Sequence, residues 1–71
     1  MGRFMLILKK ENVTKTYKAD GCRLSIREDY LGGDSYESWY LYQNKKCMLD
    51  VISMGIEQAI RESWDYSAKE A

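Results

Sequence analysis

Only one segment of this 71-residue chain has the period of an amphipathic helix, and it lies near the carboxyl end. Between Asp50 and Trp64 the apolar residues recur three or four positions apart, which places them on one side of a helix. Asp50 is the predicted N-cap, and Leu49 with Met54 fits a hydrophobic staple around it. The predicted stripe consists of Ile52, Ile56, Ala59, Ile60 and Trp64.

Residues before this helix have the pattern of β-strands separated by four turns. The turn signals are Glu11-Asn12, Asp20-Gly21, Gly32-Gly33 and Asn44-Lys45. They predict strands over residues 3–10, 13–19, 22–31, 35–43 and 46–49. We therefore predict an α+β fold in one domain spanning residues 1–71: an antiparallel β-meander of four to five strands with one C-terminal α-helix packed on one face.

The first three turns also predict which side chains share a face. A two-residue loop fixes the residues that lie opposite each other, and a slip of one residue would turn every side chain to the other face. Treated as two-residue loops, these turns agree on one apolar face, with Lys15 at its rim. Its predicted members are Phe4, Leu6, Leu8, Tyr17, Ala19, Cys22, Leu24, Ile26, Trp39 and Leu41.

One helix cannot cover both faces of a sheet, so the second face is predicted to stay uncovered. By subtraction it carries threonines and serines, several cations, two tyrosines and a short apolar strip. Tyrosine, arginine and methionine are enriched in the cores of protein interfaces. The candidate partner-binding residues are Met5, Ile7, Arg23, Arg27, Tyr40 and Tyr42.

Three uses of this face are compatible with the sequence. It can be an ordinary solvated sheet face, because exposed apolar atoms are common in folded proteins. It can bind a protein partner or a second copy of the chain, as in a homodimer. It can also bind single-stranded nucleic acid, with tyrosines that stack on bases and cations that contact phosphates. Our hypothesis is a small non-enzymatic binding or regulatory module that contacts a protein, and nucleic acid is the alternative.

Composition argues against most catalytic chemistry. The chain has no histidine, so it lacks the usual proton carrier near neutral pH, and we predict no catalytic residues, cofactor or metal site. Four carboxylates surround the glycine turn, Glu28, Asp29, Asp34 and Glu37, and we interpret them as a solvated acidic turn. The two cysteines, Cys22 and Cys47, are too few for a disulfide scaffold and are predicted to be reduced.

Charge and length complete the predictions. Residues 1–27 hold seven basic and two acidic residues, whereas residues 28–71 hold four basic and nine acidic residues. This asymmetry indicates either a basic binding surface or internal charge complementarity. No apolar run reaches the roughly 18 residues of a membrane span, so we expect a complete cytoplasmic chain. Residues 67–71 lack an apolar anchor and are predicted to fray.

Overall fold

The computed structural model describes residues 3–70, which contain one sheet and one helix. The elements are, in chain order, β1 (Arg3–Lys10), β2 (Val13–Asp20), β3 (Arg23–Tyr30), β4 (Ser35–Leu41), α1 (Lys45–Arg61) and β5 (Asp65–Glu70). The strands form an antiparallel sheet in the order β4-β3-β2-β1-β5, so α1 carries the chain from one edge of the sheet to the other. The predicted α+β class is confirmed, with a four-stranded meander and one helix that packs on one face.

The first two hairpins place their side chains on the predicted faces. In the β1–β2 hairpin, Leu6 lies opposite Tyr17, as the first turn predicts. The second turn lies one residue later than predicted, at Gly21-Cys22, which changes the partner of Tyr17 from Leu24 to Ile26. A shift of two residues in the pairing leaves every side chain on its original face. The face prediction for β3 is therefore confirmed although its exact register is not.

Residues 31–34 connect β3 to β4, and because Tyr30 pairs with Asp34, the hairpin loop itself has three residues, 31–33, instead of the predicted two. The Tyr30 N–H donates to the Asp34 carbonyl at 2.9 Å and closes the loop there. Leu31 is not the partner of Asp34, because its own N–H donates to the Asn12 carbonyl at 2.9 Å. The two glycines of the loop have φ angles of 113° and 106°, which side-chain-bearing residues rarely adopt.

This additional loop residue inverts β4 relative to the prediction. Leu24 lies opposite Tyr40, and Ser25 lies opposite Trp39. Leu24 and Trp39 therefore point to opposite sides of the sheet, since side chains alternate along a strand. The assignment of Trp39 and Leu41 to the core is wrong, because their exposed fractions are 60% and 81%.

The helix begins earlier than predicted, at Lys45. Asn44 is its N-cap, with an extended backbone and a side-chain oxygen that accepts a hydrogen bond from the Cys47 N–H at 3.0 Å. The predicted strand over residues 46–49 instead forms the first turn of α1. The predicted N-cap at Asp50 is wrong for the same reason, since Asp50 lies inside the helix.

Replacing Asn44 with alanine is expected to lower the free energy of unfolding by about 1 kcal/mol, because a first-turn N–H loses its acceptor. Asp50→Ala is the matched control, and its effect should stay within about 0.5 kcal/mol because Asp50 is an exposed mid-helix residue. Urea unfolding followed by circular dichroism measures both changes. A larger loss for Asp50→Ala than for Asn44→Ala would contradict the observed start of the helix.

One side of α1 packs against the sheet and completes the core. Gly55 makes the close approach possible: a Cβ added there would lie 3.3 Å from Tyr17 Cζ and 3.4 Å from Leu6 Cδ2. A side chain longer than that of alanine would therefore separate α1 from β1 and β2. The buried members of the core are Leu6, Leu8, Tyr17, Ala19, Leu24, Met48, Ile52 and Ala59.

The buried side of α1 is only partly the predicted stripe. Three predicted members within α1 contribute to the core, namely Ile52, Ile56 and Ala59, and Trp64 packs against the core from beyond the end of the helix. Ile60 is 64% exposed, and Met48 is buried in addition. The predicted staple is wrong, because Leu49 and Met54 both lie inside α1 instead of on either side of its N-cap, and both are exposed. Cys47 is exposed beside Met48, and both cysteines of the chain are free, as predicted. Within residues 3–70, α1 is neither long enough nor apolar enough to span a lipid bilayer.

The helix ends at Arg61 in a Schellman-type turn. The Trp64 N–H donates to the Ala59 carbonyl at 2.8 Å, and Ser63 has a φ of 61° at the position where glycine is usual. Trp64 therefore follows the helix instead of belonging to it. Its side chain nevertheless packs, half-buried, against the core.

Glu62 connects the end of α1 to the end of β1. Its carboxylate accepts hydrogen bonds from Gln58 Nε2 at 2.9 Å and Trp64 Nε1 at 3.3 Å, and these bonds lower the pKa of Glu62 below its usual value. Lys10 Nζ lies 3.9 Å from the same carboxylate and 4.8 Å from the centroid of the Trp64 ring. These contacts orient the chain as it enters β5.

The carboxyl end of the chain forms a fifth strand. Residues Asp65–Glu70 pair with β1, so that Leu6 lies opposite Ala68. The predicted fraying of residues 67–71 is therefore wrong for residues 67–70, while Ala71 lies outside the described residues. The fifth strand of the sheet comes after the helix and not, as predicted, before it.

Candidate partner-binding face

The side of the sheet away from α1, here called the open face, has no secondary-structure element packed against it within residues 3–70. Its members follow from the pairing register, because residues opposite each other in neighbouring strands point to the same side. The open face carries Arg3, Met5, Ile7, Lys9, Thr14, Thr16, Lys18, Asp20, Arg23, Ser25, Arg27, Asp29, Ser35, Glu37, Trp39, Leu41, Asp65, Ser67 and Lys69.

Four of the six predicted partner-binding residues lie on this face. Met5 and Ile7 form a half-buried apolar strip on β1, and Arg23 and Arg27 are exposed on β3. The two β1 residues lie opposite Lys18 and Thr16 on β2, so the predicted combination of apolar strip and cations exists. The apolar strip on β1 and the arginines on β3 are nevertheless separated by β2.

The other two predicted residues, Tyr40 and Tyr42, lie on the helix side of the sheet. Tyr40 lies opposite Leu24. Tyr42 is half-buried against the core, with its ring centroid 6.4 Å from that of Tyr40. Their placement on the open face was wrong because the three-residue loop inverts β4. Replacing Tyr42 would disturb the core as well as any surface.

Trp39 occupies the place on the open face that the tyrosines were predicted to fill. Its ring is 60% exposed, and Arg23 Cζ lies 5.3 Å from the ring centroid, within the range of a cation–π contact. Ser25, opposite Trp39, is only 5% exposed and so lies beneath its neighbours. The sequence could have placed Trp39 on the open face only if the loop length were known. With a three-residue loop, the odd-numbered residues of β4 lie on that face.

Two shallow grooves meet at Trp39. The larger has a volume of about 370 Å³, and its lining includes Arg3, Met5, Lys18, Arg23 and Trp39 as well as Asp20, the carboxylate beside Arg3. The smaller has a volume of about 280 Å³, and its lining also includes Trp39 and Lys18. We call Arg3, Met5, Lys18, Arg23 and Trp39 the tryptophan patch. Because Trp39 and Lys18 border both grooves, they lie at the centre of the shaped part of the open face.

Ion pairs neutralise only part of the charge on the open face. Arg3 Nε lies 3.6 Å from Asp20 Oδ2, and Arg27 Nε donates to Asp29 Oδ1 at 3.1 Å. Both pairs are solvent-exposed and contribute little to stability. Within residues 3–70, neither Lys18 nor Arg23 forms an ion pair. The tryptophan patch therefore retains positive charge that can meet a carboxylate or a phosphate.

The opposite end of the open face is more acidic, with Asp29, Glu37 and Asp65. Ser35 Oγ donates to Asp29 at 3.0 Å, so this carboxylate is already shared between Ser35 and Arg27. On the helix side of the same end, the Tyr30 hydroxyl donates to Glu28, which raises the pKa of Tyr30. In the part of the chain that the structure describes, no group of three candidate ligands could hold a metal ion.

The charge asymmetry of the sequence remains largely on the surface. Of the three ion pairs found within residues 3–70, only the Lys10–Glu62 pair joins the basic first segment to the carboxyl-terminal part of the chain, at the C-cap of α1. Internal complementarity between a basic sheet and an acidic helix therefore has little support. Lys18 and Arg23 belong to this basic segment and are both exposed on the open face.

Comparison with protein-family models, with curated proteins and with solved structures finds no match to this chain. The candidate function therefore depends on the residues of the open face alone.

Proposed function

We propose that this protein is a small non-enzymatic binding module that recognises a partner protein through the open face, with the tryptophan patch at its centre. The observation that carries this proposal is the exposed Trp39 ring, flanked by Arg23 at 5.3 Å and set between two grooves. Tryptophan and arginine are, with tyrosine, the residues enriched in binding hot spots.

The chemistry of the patch describes the partner it would fit. An apolar side chain of the partner can enter the groove between Trp39 and Met5 and bury surface on both. Carboxylates beside that side chain would meet Lys18 and Arg23, which form no ion pair within residues 3–70. The expected partner surface is therefore an apolar projection with acidic residues around it.

The size of the open face is suited to this role. The two longer extents of the molecule are 35 and 24 Å. These lengths bound the face, and their rectangle is of the same order as the roughly 800 Å² that each side contributes to an interface of standard size. The apolar and cationic patch occupies one end of this face, and polar side chains surround it as a rim does in many interfaces.

Replacing Trp39 with alanine is expected to weaken partner binding by about 30-fold or more, as the loss of a hot-spot residue does. Tyr36→Ala is the matched control, since Tyr36 is equally exposed (63%) on the same strand but points to the helix side. Proteins captured from a native lysate by wild type and by each variant can be compared by quantitative mass spectrometry, and the dissociation constant of the captured protein is then measured by calorimetry. Binding that survives Trp39→Ala but is lost with Tyr36→Ala would contradict the proposal.

Single-stranded nucleic acid is the second candidate, because an exposed aromatic ring beside two cations can also stack on a base and contact phosphates. The zero net charge of the chain weighs against it. This candidate predicts that the protein binds mixed-sequence oligonucleotides at low salt and that binding falls steeply as salt is added. If Trp39→Ala also abolished this binding, nucleic acid would be favoured over a protein partner. An unchanged fluorescence signal throughout the titration would eliminate it.

A further inference from the structure

Strand β4 forms one edge of the sheet and is exposed along its whole length. The sheet order places β3 on one side of it and, among residues 3–70, no strand on the other. All seven residues of β4 are solvent-exposed, because α1 packs above β1, β2 and β5, away from β4. Its large apolar side chains lie on both faces: Tyr36 and Tyr40 on the helix side, Trp39 and Leu41 on the open face.

The hydrogen-bonding pattern shows which backbone groups of β4 point outward. The Tyr42 N–H donates to Cys22, and the Tyr30 N–H donates to Asp34, so these two pairs are hydrogen-bonded pairs of the β3–β4 ladder. Such pairs alternate along an antiparallel ladder. The even-numbered residues of β4 therefore bond to β3, and the odd-numbered residues, Ser35, Glu37, Trp39 and Leu41, direct their N–H and C=O groups away from the sheet.

The two edges of the sheet differ in how they resist pairing with another chain. Natural sheets protect an edge with charged residues, lysine above all, or with proline or a bulge. The β5 edge has Asp65, Lys69 and Glu70 among its six residues. The β4 edge has one charged residue, Glu37, among seven, with no lysine and no proline, and its pairing with β3 is unbroken by a bulge. β4 is thus the edge that is open to a further strand.

We propose that β4 pairs antiparallel with β4 of a second copy about a two-fold axis at Ser38, which joins two five-stranded sheets into one sheet of ten strands. Strand addition at an exposed edge is an established mode of protein association. A two-fold axis makes the interface self-complementary, so each contact occurs twice.

The sequence of β4 favours this register over the others. A two-fold axis between antiparallel strands must bring one residue opposite its own copy. Ser38 is the middle residue of Ser35–Leu41, so an axis there lets all seven residues of the strand pair. Glu37 then lies opposite Trp39 of the second copy, and Tyr36 lies opposite Tyr40. An axis at Glu37 would instead place two carboxylates opposite each other, which is unfavourable.

Backbone geometry supports the same register. With the axis at Ser38, the outward-pointing residues oppose one another, giving four hydrogen-bonded pairs and about eight bonds between the chains. The two Tyr36–Tyr40 pairs then occupy non-hydrogen-bonded positions, where opposing side chains approach most closely and aromatic pairs are favourable. The proposed pairing would thus cover tyrosines that are 63% and 47% exposed in the single chain.

A pair of charge variants tests both the dimer and its register. Wild type is expected to show twice the 8.3 kDa chain mass by sedimentation equilibrium. Ser38→Lys and Ser38→Glu should each be monomeric at the same concentration, because like charges meet at the axis. An equimolar mixture of the two variants should recover the dimer mass. Ser67→Lys, at an exposed position on the β5 edge, is the matched control and should remain dimeric.

Three results would overturn the proposal: a monomeric wild type at every concentration, a Ser38→Lys protein that stays dimeric, or two monomeric variants that remain monomeric when mixed. If the variants fail to fold, hydrogen exchange of wild type decides instead, since Glu37 and Trp39 amides should gain protection as concentration rises. Ser38 points to the helix side, so a monomeric variant keeps the tryptophan patch. Partner binding by that variant is then measured separately from dimerisation.

Discussion

Replacing Gly55 with leucine is expected to lower the free energy of unfolding by about 3 kcal/mol or more, which is over half of the protein's stability. A Cβ at this position already lies 3.3 Å from Tyr17 Cζ and 3.4 Å from Leu6 Cδ2, both in the buried core. The additional carbons of leucine would have to displace α1 from the sheet, and overpacking of this kind costs about 3 kcal/mol or more. A domain of this size has a total stability of only about 5 kcal/mol.

The alanine variant separates close packing from helix propensity. Gly55→Ala gains about 1 kcal/mol of helix propensity but requires Tyr17 to move by a few tenths of an ångström. We expect the two effects to offset each other, so that its unfolding free energy in urea stays within about 1 kcal/mol of wild type. A leucine variant as stable as the alanine variant would show that α1 does not pack as closely on β1 and β2 as the structure has it.

Replacing Leu24 with alanine is expected to lower the free energy of unfolding by about 2–5 kcal/mol. Leu24 is completely buried, at 0% exposure, on the helix side of β3. Trp39→Ala removes a much larger side chain one strand away, yet it should cost under about 1 kcal/mol because most of the ring is exposed on the open face. If side-chain size alone determined the loss of stability, Trp39→Ala would be the more destabilising of the two.

The comparison of these two variants is made by denaturant unfolding under identical conditions. Were Trp39 a core residue, as the two-residue loop predicts, its replacement would cost about 3–5 kcal/mol. A loss of that size for Trp39→Ala would invalidate both the observed register of β4 and the proposed binding surface.

Sequence reasoning predicted the faces of the sheet correctly where the hairpin loops contain two residues. The faces of β1, β2 and β3 follow from alternation of apolar and polar residues, and an error of one residue in the second turn moved the pairing by two, which preserves the faces. The cations and the apolar strip of the open face were predicted for the same reason. Alternation is a property of the chain itself and survives small errors in turn position.

The inversion of β4 could not be predicted from the glycine pair alone. Gly32-Gly33 fits a two-residue turn, but the loop also includes Leu31, whose N–H is bonded to Asn12 on the other side of β3. That bond depends on the completed β2–β3 ladder and is not visible in the local sequence. Because β4 carries apolar residues at both odd and even positions, its own pattern did not reveal the error.

The helix and β5 were misjudged because tertiary contacts override weak local preference. Met48 is buried under the first turn of α1, so a segment with some strand character is helical instead. The sequence of β5 is mostly polar, and it forms a strand only because β1 offers an unpaired edge. Neither the core that buries Met48 nor the β1 edge that pairs with β5 can be recognised from residues nearby in the sequence.

The central claim is that Trp39 lies on the open face, and nuclear Overhauser effects between α-protons test it most directly. The observed ladder makes Ser25 and Trp39 a non-hydrogen-bonded pair, in which the α-protons approach each other closely. We predict a strong effect between the α-protons of Ser25 and Trp39. A strong effect between Ile26 and Trp39 instead would turn the ring toward α1 and contradict the account.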